Sequence, residues 1–278
     1  MYIPPSVIEV FQRALEEDIG HGDITTSLLV PERSNSKAHY IAKTQFVLAG
    51  LPFVEEVFRI LDSSIVLETL FCDGSVINEG DVFGRLSGRT RSILKGERVS
   101  LNILQRLSGI ATLTGMYVEK IKGLKAKIAD TRKTTPCLRF IEKYAVRVGG
   151  GYNHRFGLYD GILIKDNHIA ASKGVRKTVR QARKGHHLFS RIEVEVRTLK
   201  GLKEAIEEGA DIVMLDNMSV NDMREAVEIA KGRVLIEASG NVNLENVRAV
   251  AETGVDVISV GALTHSAVAA DISLKIVK

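Results

Sequence analysis

The chain has 278 residues, 45% of them hydrophobic and 26% charged, with a formal net charge of +4 at pH 7. This is the composition of an ordinary water-soluble protein, long enough for one large domain or a large and a small one. With 5% aromatics, no tryptophan and no Lys/Arg run or stacking motif, it does not read as a nucleic-acid binder. The first residues, Met1 to Asp18, combine two prolines with several acids, which is no signal peptide, and no apolar run approaches the ~18–20 residues that cross a bilayer. Cys72 and Cys137 are far apart and form no Cys-x-x-Cys pair, so neither a disulfide framework nor a structural zinc is expected. A cytosolic protein without a membrane partner follows.

In chain order, an amphipathic helix comes first, with Val7, Ile8, Phe11 and Leu15 on its apolar side. Strand-like stretches follow at 38–42, 46–49 and 65–71, with a helix near 52–61 and turn signals at Asp73-Gly74 and Glu79-Gly80. These predict a small α+β unit with an antiparallel sheet. A helix over about 95–107 presents Leu101, Leu104 and Leu107. From residue 126 the grammar changes to six short apolar runs, 127–130, 161–164, 192–196, 212–215, 234–236 and 255–260. Later runs are separated by helical segments with caps: Ser219 opens 220–230 and Asn243 opens 244–252. Strands alternating with helices imply parallel strands wound into a barrel or an open sheet.

Chemistry gathers at the C-terminal ends of these runs: Thr131-Arg132-Lys133, Lys165-Asp166, Glu195, Asp216, Glu237-Ala-Ser239-Gly240 and Ser259-Val-Gly261. In a β/α barrel those ends share the face where active sites are built. Glycine-bearing turns after the last two runs suit a phosphate held by backbone N–H groups. Between Thr131 and His168 lie, among other cations, Arg132, Lys133, Arg139, Arg147, His154, Arg155 and Lys165, interleaved with glycines. Arginine grips carboxylate or phosphate by two bonds and lysine adds a point charge, so this pocket wants a small polyanion.

Several residues allow two readings. Glu193 and Glu195 share one strand face, either the barrel interior opposite cations such as Lys165 or Arg132, or the solvated face of an edge strand. Asp216 is a ligand-binding carboxylate or a helix cap. Lys165 is an electrostatic anchor or a Schiff-base nucleophile, which would make the protein a lyase or aldolase. His154 is a ligand donor, a general acid or a structural residue. His168, His186, His187 and His265 lack metal-ligand spacing and read as structural or surface. A binding protein for phosphorylated anions is the non-enzymatic alternative.

The segments Glu97-Arg98-Val-Ser-Leu-Asn102, Gln105-Arg-Leu-Ser108-Gly109, Thr131-Arg-Lys-Thr-Thr-Pro136, Gly149-Gly-Gly-Tyr-Asn153-His-Arg155 and Leu163-Ile-Lys165-Asp-Asn167-His168 resemble the quinolinate phosphoribosyltransferase family. The resemblance extends through Glu193-Val-Glu195, Leu215-Asp216-Asn217, Glu237-Ala-Ser239-Gly240-Asn241 and Ser259-Val-Gly261, and back to Glu17-Asp18 and Asp23-Ile-Thr25-Thr26. Cys137 departs from the family's usual glycine, and Val148 from its common cysteine. A paralogue linked to molybdenum transport shares the fold, but the unbroken basic motif favours the biosynthetic enzyme.

The resemblance implies an N-terminal α+β open-faced sandwich (1–108) followed by an incomplete, seven-stranded α/β barrel (109–278), one strand more than the six runs. It implies phosphoribosyl pyrophosphate and quinolinate as substrates, nicotinate mononucleotide, pyrophosphate and CO2 as products, and Mg²⁺ as cofactor. Arg98 would reach quinolinate in the neighbouring active site of a homodimer, which could assemble further. Arg132, Lys133, His154, Arg155 and Lys165 would complete the dicarboxylate site. Lys133, Lys165, Glu195 and Asp216 would be the catalytic set and would also meet phosphoribosyl pyrophosphate. Glu195 and Asp216 would hold ribose hydroxyls and, indirectly, the metal. Ser239, Gly240, Asn241 and Gly261 would take the 5-phosphate.

Overall fold

The computed structural model describes residues 1–185 and 190–277. His186 and His187 lie outside the described residues. The chain opens with helices α1 (Pro5–Ile19) and α2 (Ile24–Leu29), strands β1 (Asn35–Ala42) and β2 (Phe46–Val47), and helix α3 (Leu51–Leu61). Strands β3 (Val66–Thr69), β4 (Val76–Ile77) and β5 (Val82–Arg89) lead into helix α4 (Thr90–Lys120). Next come β6 (Lys127–Ala129), α5 (Arg139–Val148), β7 (Ile162–Ile164), α6 (Asp166–Ser172) and α7 (Val175–Gly185). The chain continues through β8 (Ile192–Val196), α8 (Leu199–Glu207), β9 (Ile212–Asp216), α9 (Val220–Ala230) and β10 (Leu235–Ser239). It ends with α10 (Val247–Ala251), β11 (Val257–Ser259), α11 (Ala262–His265) and β12 (Ile272–Val277).

Contacts group these elements into two compact units. The first takes Met1–Gly115, Thr134–Gly150 and the segment from Ser266; the second takes Met116–Lys133 and Gly151–His265. The boundary expected after residue 108 falls inside α4, and segments distant in sequence return to the first unit.

In the first unit, four antiparallel strands run in the order β12-β1-β5-β3. Alternation along β1 buries Ala38, Tyr40 and Ala42 against Leu51, Val54, Phe58, Leu101 and Leu104. The Asp73 turn has a second task. Its carboxylate accepts the Gly50 and Leu51 N–H groups at 2.7 and 3.2 Å, capping the start of α3 from another segment. Helix α4 outruns its expected 95–107 span because Ile93, Leu101, Leu104, Leu107 and Ile110 extend one buried stripe. Its poor formers Thr112 and Thr114 return their hydroxyls to the helix's own carbonyls at 2.7 and 2.8 Å.

In the second unit, all six expected apolar runs are strands of one parallel sheet, in the order β6-β11-β10-β9-β8-β7. This is an incomplete α/β barrel. For the seventh strand, the described residues offer only a single parallel bridge, Ala129 to Tyr152, on the free edge of β6. Tyr152 donates its N–H to Ile128 and accepts one from Asp130. A one-residue strand inside a glycine run carries no periodicity to read. Ser219 caps α9 as expected, accepting the Asp222 N–H at 3.1 Å. Asn243 accepts from Glu245 and Asn246, so it caps a turn that precedes α10 instead of the helix itself.

Candidate active site

A cavity of about 740 Å³ opens in the second unit at the C-terminal ends of its strands. Among its lining residues are the cations Arg132, Lys133, Arg155, Lys165 and Arg197 and the carboxylates Glu195 and Asp216. Five fixed positive charges facing two negative ones leave an excess of about three, which selects a multiply charged anion. His154, Ser239, Gly240, Asn241, Gly261 and His265 line the same space.

Buried Asp130, at the end of β6, organises the basic loops. It accepts Asn153 Nδ2 at 2.6 Å and the His154 N–H at 2.9 Å, pinning the polar segment that carries Arg155. Arg155 donates Nη1 to the Gly161 carbonyl at 2.9 Å. Burial, and next the neighbouring Arg132 charge, push its guanidinium below the usual arginine value, against the pull of Glu193 and Asp160. Two guanidiniums that each disfavour the other's charge favour an anion bound between them. Lys133 is steadied at its backbone, where its N–H meets Thr131 Oγ1 at 3.0 Å and its carbonyl accepts Thr264 Oγ1 at 2.8 Å.

In the same cavity lining, Lys165 Nζ lies 3.5 Å from Glu195 Oε2, and Arg197 Nε donates to Asp216 Oδ2 at 2.8 Å. Glu193 is buried and β8 is an inner strand, so the barrel-interior reading of its alternating acids holds and the solvated-edge reading falls. Asp216 is no helix cap, because Ser219 performs that task for α9. It is braced instead by Arg197 and by Asn217 Nδ2 at 2.8 Å. Asn241 Nδ2 reaches Asn217 Oδ1 at 2.9 Å, joining the turns after β9 and β10. Gly240 sits between them at φ +93°, and a Cβ there would lie 2.4 Å from Asn217 Oδ1, so a side chain would be strained and would displace the Asn217 amide.

Glu195 and Asp216 suit a magnesium ion held chiefly through substrate phosphates and water. Both carboxylates are already engaged by cations, and Mg²⁺ characteristically keeps several waters and few protein ligands.

Not every expected residue gathers here. Arg139 and Arg147 lie on α5, and Arg98 lies exposed on α4, all in the first unit. His168 caps α6, accepting the Lys165 N–H at Nδ1. His265, exposed as its surface reading has it, borders the cavity. Sequence reasoning assigned no role to Arg197 or Asn217, although Arg197 directly follows the run 192–196 and Asn217 follows Asp216, the signal that found their neighbours.

The chain matches the profile of the quinolinate phosphoribosyl transferase C-terminal domain over residues 110–275 and that of the N-terminal domain over 23–108. It is 45% identical over 260 residues to a probable nicotinate-nucleotide pyrophosphorylase [carboxylating] of Bacillus subtilis (strain 168), covering 94% of this chain and 90% of the relative. A quinolinate phosphoribosyltransferase [decarboxylating] of Nicotiana glauca, described as mitochondrial, is 43% identical, with 96% of this chain and 81% of that one covered. Among solved structures, NadC from Streptococcus pyogenes superposes with a TM-score of 0.95 at 42% identity over the whole of both chains. The nicotinate-nucleotide pyrophosphorylase of Francisella tularensis gives 0.94 at 44% identity, covering 99% of this chain and 98% of that one.

Proposed function

The chain belongs to the quinolinate phosphoribosyl transferase family, and we infer from that premise how its cavity works. The enzyme joins quinolinate to the ribose of phosphoribosyl pyrophosphate, giving nicotinate mononucleotide, pyrophosphate and CO2 for de novo NAD synthesis. The observation that carries this reading is the ring of five cations around a cavity holding two carboxylates, a match for a diacid beside a phosphorylated sugar.

Arg132, Arg155 and Lys165, with Lys133 and His154, take the quinolinate carboxylates. Arg98 of the partner subunit completes that subsite in a homodimer, a role supported by its exposure on α4. Ser239, Gly240, Asn241 and Gly261, which line the same cavity, take the 5-phosphate. Lys133 and Lys165 serve both substrates. Positive charge develops at the anomeric carbon as pyrophosphate departs, and Glu195 and Asp216 orient the ribose hydroxyls and stabilise that charge. Bound Mg²⁺ supplies charge neutralisation for the diphosphate. The quinolinate ring nitrogen attacks the anomeric carbon; once quaternary, it stabilises the electron pair left on the adjacent ring carbon as its carboxylate departs as CO2, and that carbon then takes a proton from water. The protein's own contribution is alignment and charge balance. Lys165 acts as an anchor: its ammonium pairs with Glu195, whereas a Schiff base requires a neutral amine.

A cytoplasmic location is supported by two free, exposed cysteines and by the absence, among the described residues, of any helix long and apolar enough to cross a membrane. The decisive assay supplies quinolinate and phosphoribosyl pyrophosphate and measures nicotinate mononucleotide and CO2 in equal amounts. EDTA is expected to stop turnover and Mg²⁺ to restore it. Release of no CO2, or a borohydride-stable adduct on Lys165, would remove the assignment.

A further inference from the structure

Two parts of the cavity meet at one side chain to which the reaction gives no task. Asp216, the carboxylate assigned to the ribose hydroxyls, ends β9, and the turn assigned to the 5-phosphate follows β10. The parallel register sets Asp216 beside Ser239, and Asn217 comes next in the chain. The Asn217 backbone N–H donates to the Ser239 carbonyl at 2.9 Å. Its side chain donates Nδ2 to Asp216 Oδ1 at 2.8 Å and accepts Asn241 Nδ2 at Oδ1, at 2.9 Å. One residue thus touches the carboxylate, the strand end and the turn.

The residue types suit such a bridge. A carboxylate only accepts, so Asn217 must turn its NH2 to Asp216, which leaves its carbonyl oxygen for Asn241. An amide does both at once, and neither an acid nor an aliphatic side chain can. Asn217 and Asn241 hold left-handed φ values of 54° and 52°, a region asparagine enters more readily than most residues. The missing side chain at Gly240 leaves the space that the Asn217 amide fills: Oδ1, Cγ and Nδ2 all crowd the position a Cβ would take. Asn241 is held from its other side as well, because its carbonyl accepts Asn246 Nδ2 at 3.0 Å. Asp216, Asn217 and Asn241 all line the cavity.

The ligand carries a matching constraint. In a phosphorylated ribose the hydroxyls and the 5-phosphate sit on one small ring, so their separation is nearly fixed. A carboxylate and a phosphate turn that moved independently would lose affinity to the ordering of one against the other. We propose that Asn217 is a positioning residue that locks Asp216 to the 239–241 turn, so that the site selects ribose and 5-phosphate as one unit. It acts through Asp216 and Asn241 and leaves the diacid subsite alone. The inference rests on the phosphoribosyl reading of the cavity given above.

Steady-state kinetics of the full-length protein and N217G test it. Glycine keeps the left-handed backbone without strain and removes only the amide. With two hydrogen bonds lost, the KM for phosphoribosyl pyrophosphate should rise on the order of tenfold, while the KM for quinolinate stays within about twofold. In N217G the preference for ribose 5-phosphate over inorganic phosphate, read by calorimetry, should shrink by a similar factor. N217D keeps the shape and the acceptor for Asn241 but sets a second carboxylate against Asp216, so it should lose at least as much kcat/KM for phosphoribosyl pyrophosphate. Because Asn217 acts through Asn241, the losses in N217G and N241A should overlap in the double variant instead of multiplying. A lower melting temperature in N217G with both KM values unchanged would mean a purely structural residue and overturn the proposal. Equal loss for both substrates, multiplying losses, or wild-type turnover in N217D would overturn it too. If the wild type does not use phosphoribosyl pyrophosphate at all, the assigned function fails instead.

Discussion

Arg155 commits Nη1 to a backbone carbonyl and keeps a buried Nε that makes no hydrogen bond within the protein. A charge-assisted bond to a carboxylate contributes about 1.5–3 kcal/mol, so Arg155→Ala should weaken quinolinate roughly ten- to a hundredfold. Affinity for phosphoribosyl pyrophosphate should change far less, and equal loss of both by titration would contradict the division of the site. Cys137 offers a test of stability at the same scale. It holds φ at +66°, a left-handed conformation that costs an L-residue about 1 kcal/mol, at the position where the resembled family commonly has glycine. Cys137→Gly should therefore raise the melting temperature by roughly 2–4 °C, and a fall by calorimetry would show that the thiol makes compensating contacts. At this scale the sequence was readable at charges that follow an apolar run, as for Arg132, Lys165 and Asp216, although Arg197 carries the same signal and was overlooked. Glu237 was legible as chemistry at the end of the run 234–236, but its burial beside Glu193 of β8 and His154 was not, because those partners are distant in sequence.

Asp62 shows how elements are tied together. It ends α3, where a negative charge opposes the helix dipole, yet it accepts two bonds from Arg89 at the end of β5 and one from Ser92 in α4. The Arg89 bonds foremost, aided by Ser92 and Ser64, hold its carboxyl well below the ordinary aspartate range despite the opposing effect of burial. A depressed carboxylate contributes stability that is fully present above its unfolded pKa, about 4, and is lost as pH falls through the folded value. Asp62→Asn should thus lower the melting temperature by a few degrees at pH 7, with the loss shrinking as both proteins are measured below about pH 4. A constant gap from pH 7 to pH 2 would mean that the charge plays no part. Strand positions in the second unit were legible because buried parallel strands read as unbroken apolar runs. The extent of α4 was not, since its second half depends on packing and on hydroxyls returned to the helix carbonyls, which local propensity counts against it.

At the scale of the whole molecule, the least legible feature is the destination of the chain's end. The stretch Ile272–Val277 has the content of a strand, but nothing local says that its partner is β1, near the start of the chain. Only the contacts reveal it: β12 pairs antiparallel with β1 from Lys37–Val277 to Ala42–Ile272, and Gln105 of α4 secures the approach by accepting from Ala270 and donating to Ile272. Ile272 is buried and the partly buried Leu274 packs on the same core, so the strand contributes about 2–4 kcal/mol from these two side chains alone. Deleting residues from Ile272 onward should lower the melting temperature by roughly 10 °C and expose the unpaired edge of β1. An exposed β edge templates association, so the shortened protein should also scatter light on standing at concentrations where the full chain stays clear. A melting temperature within about 2 °C of the intact protein would show that β12 adds little to the sheet it completes, because even 1 kcal/mol shifts a protein of this size by about that much.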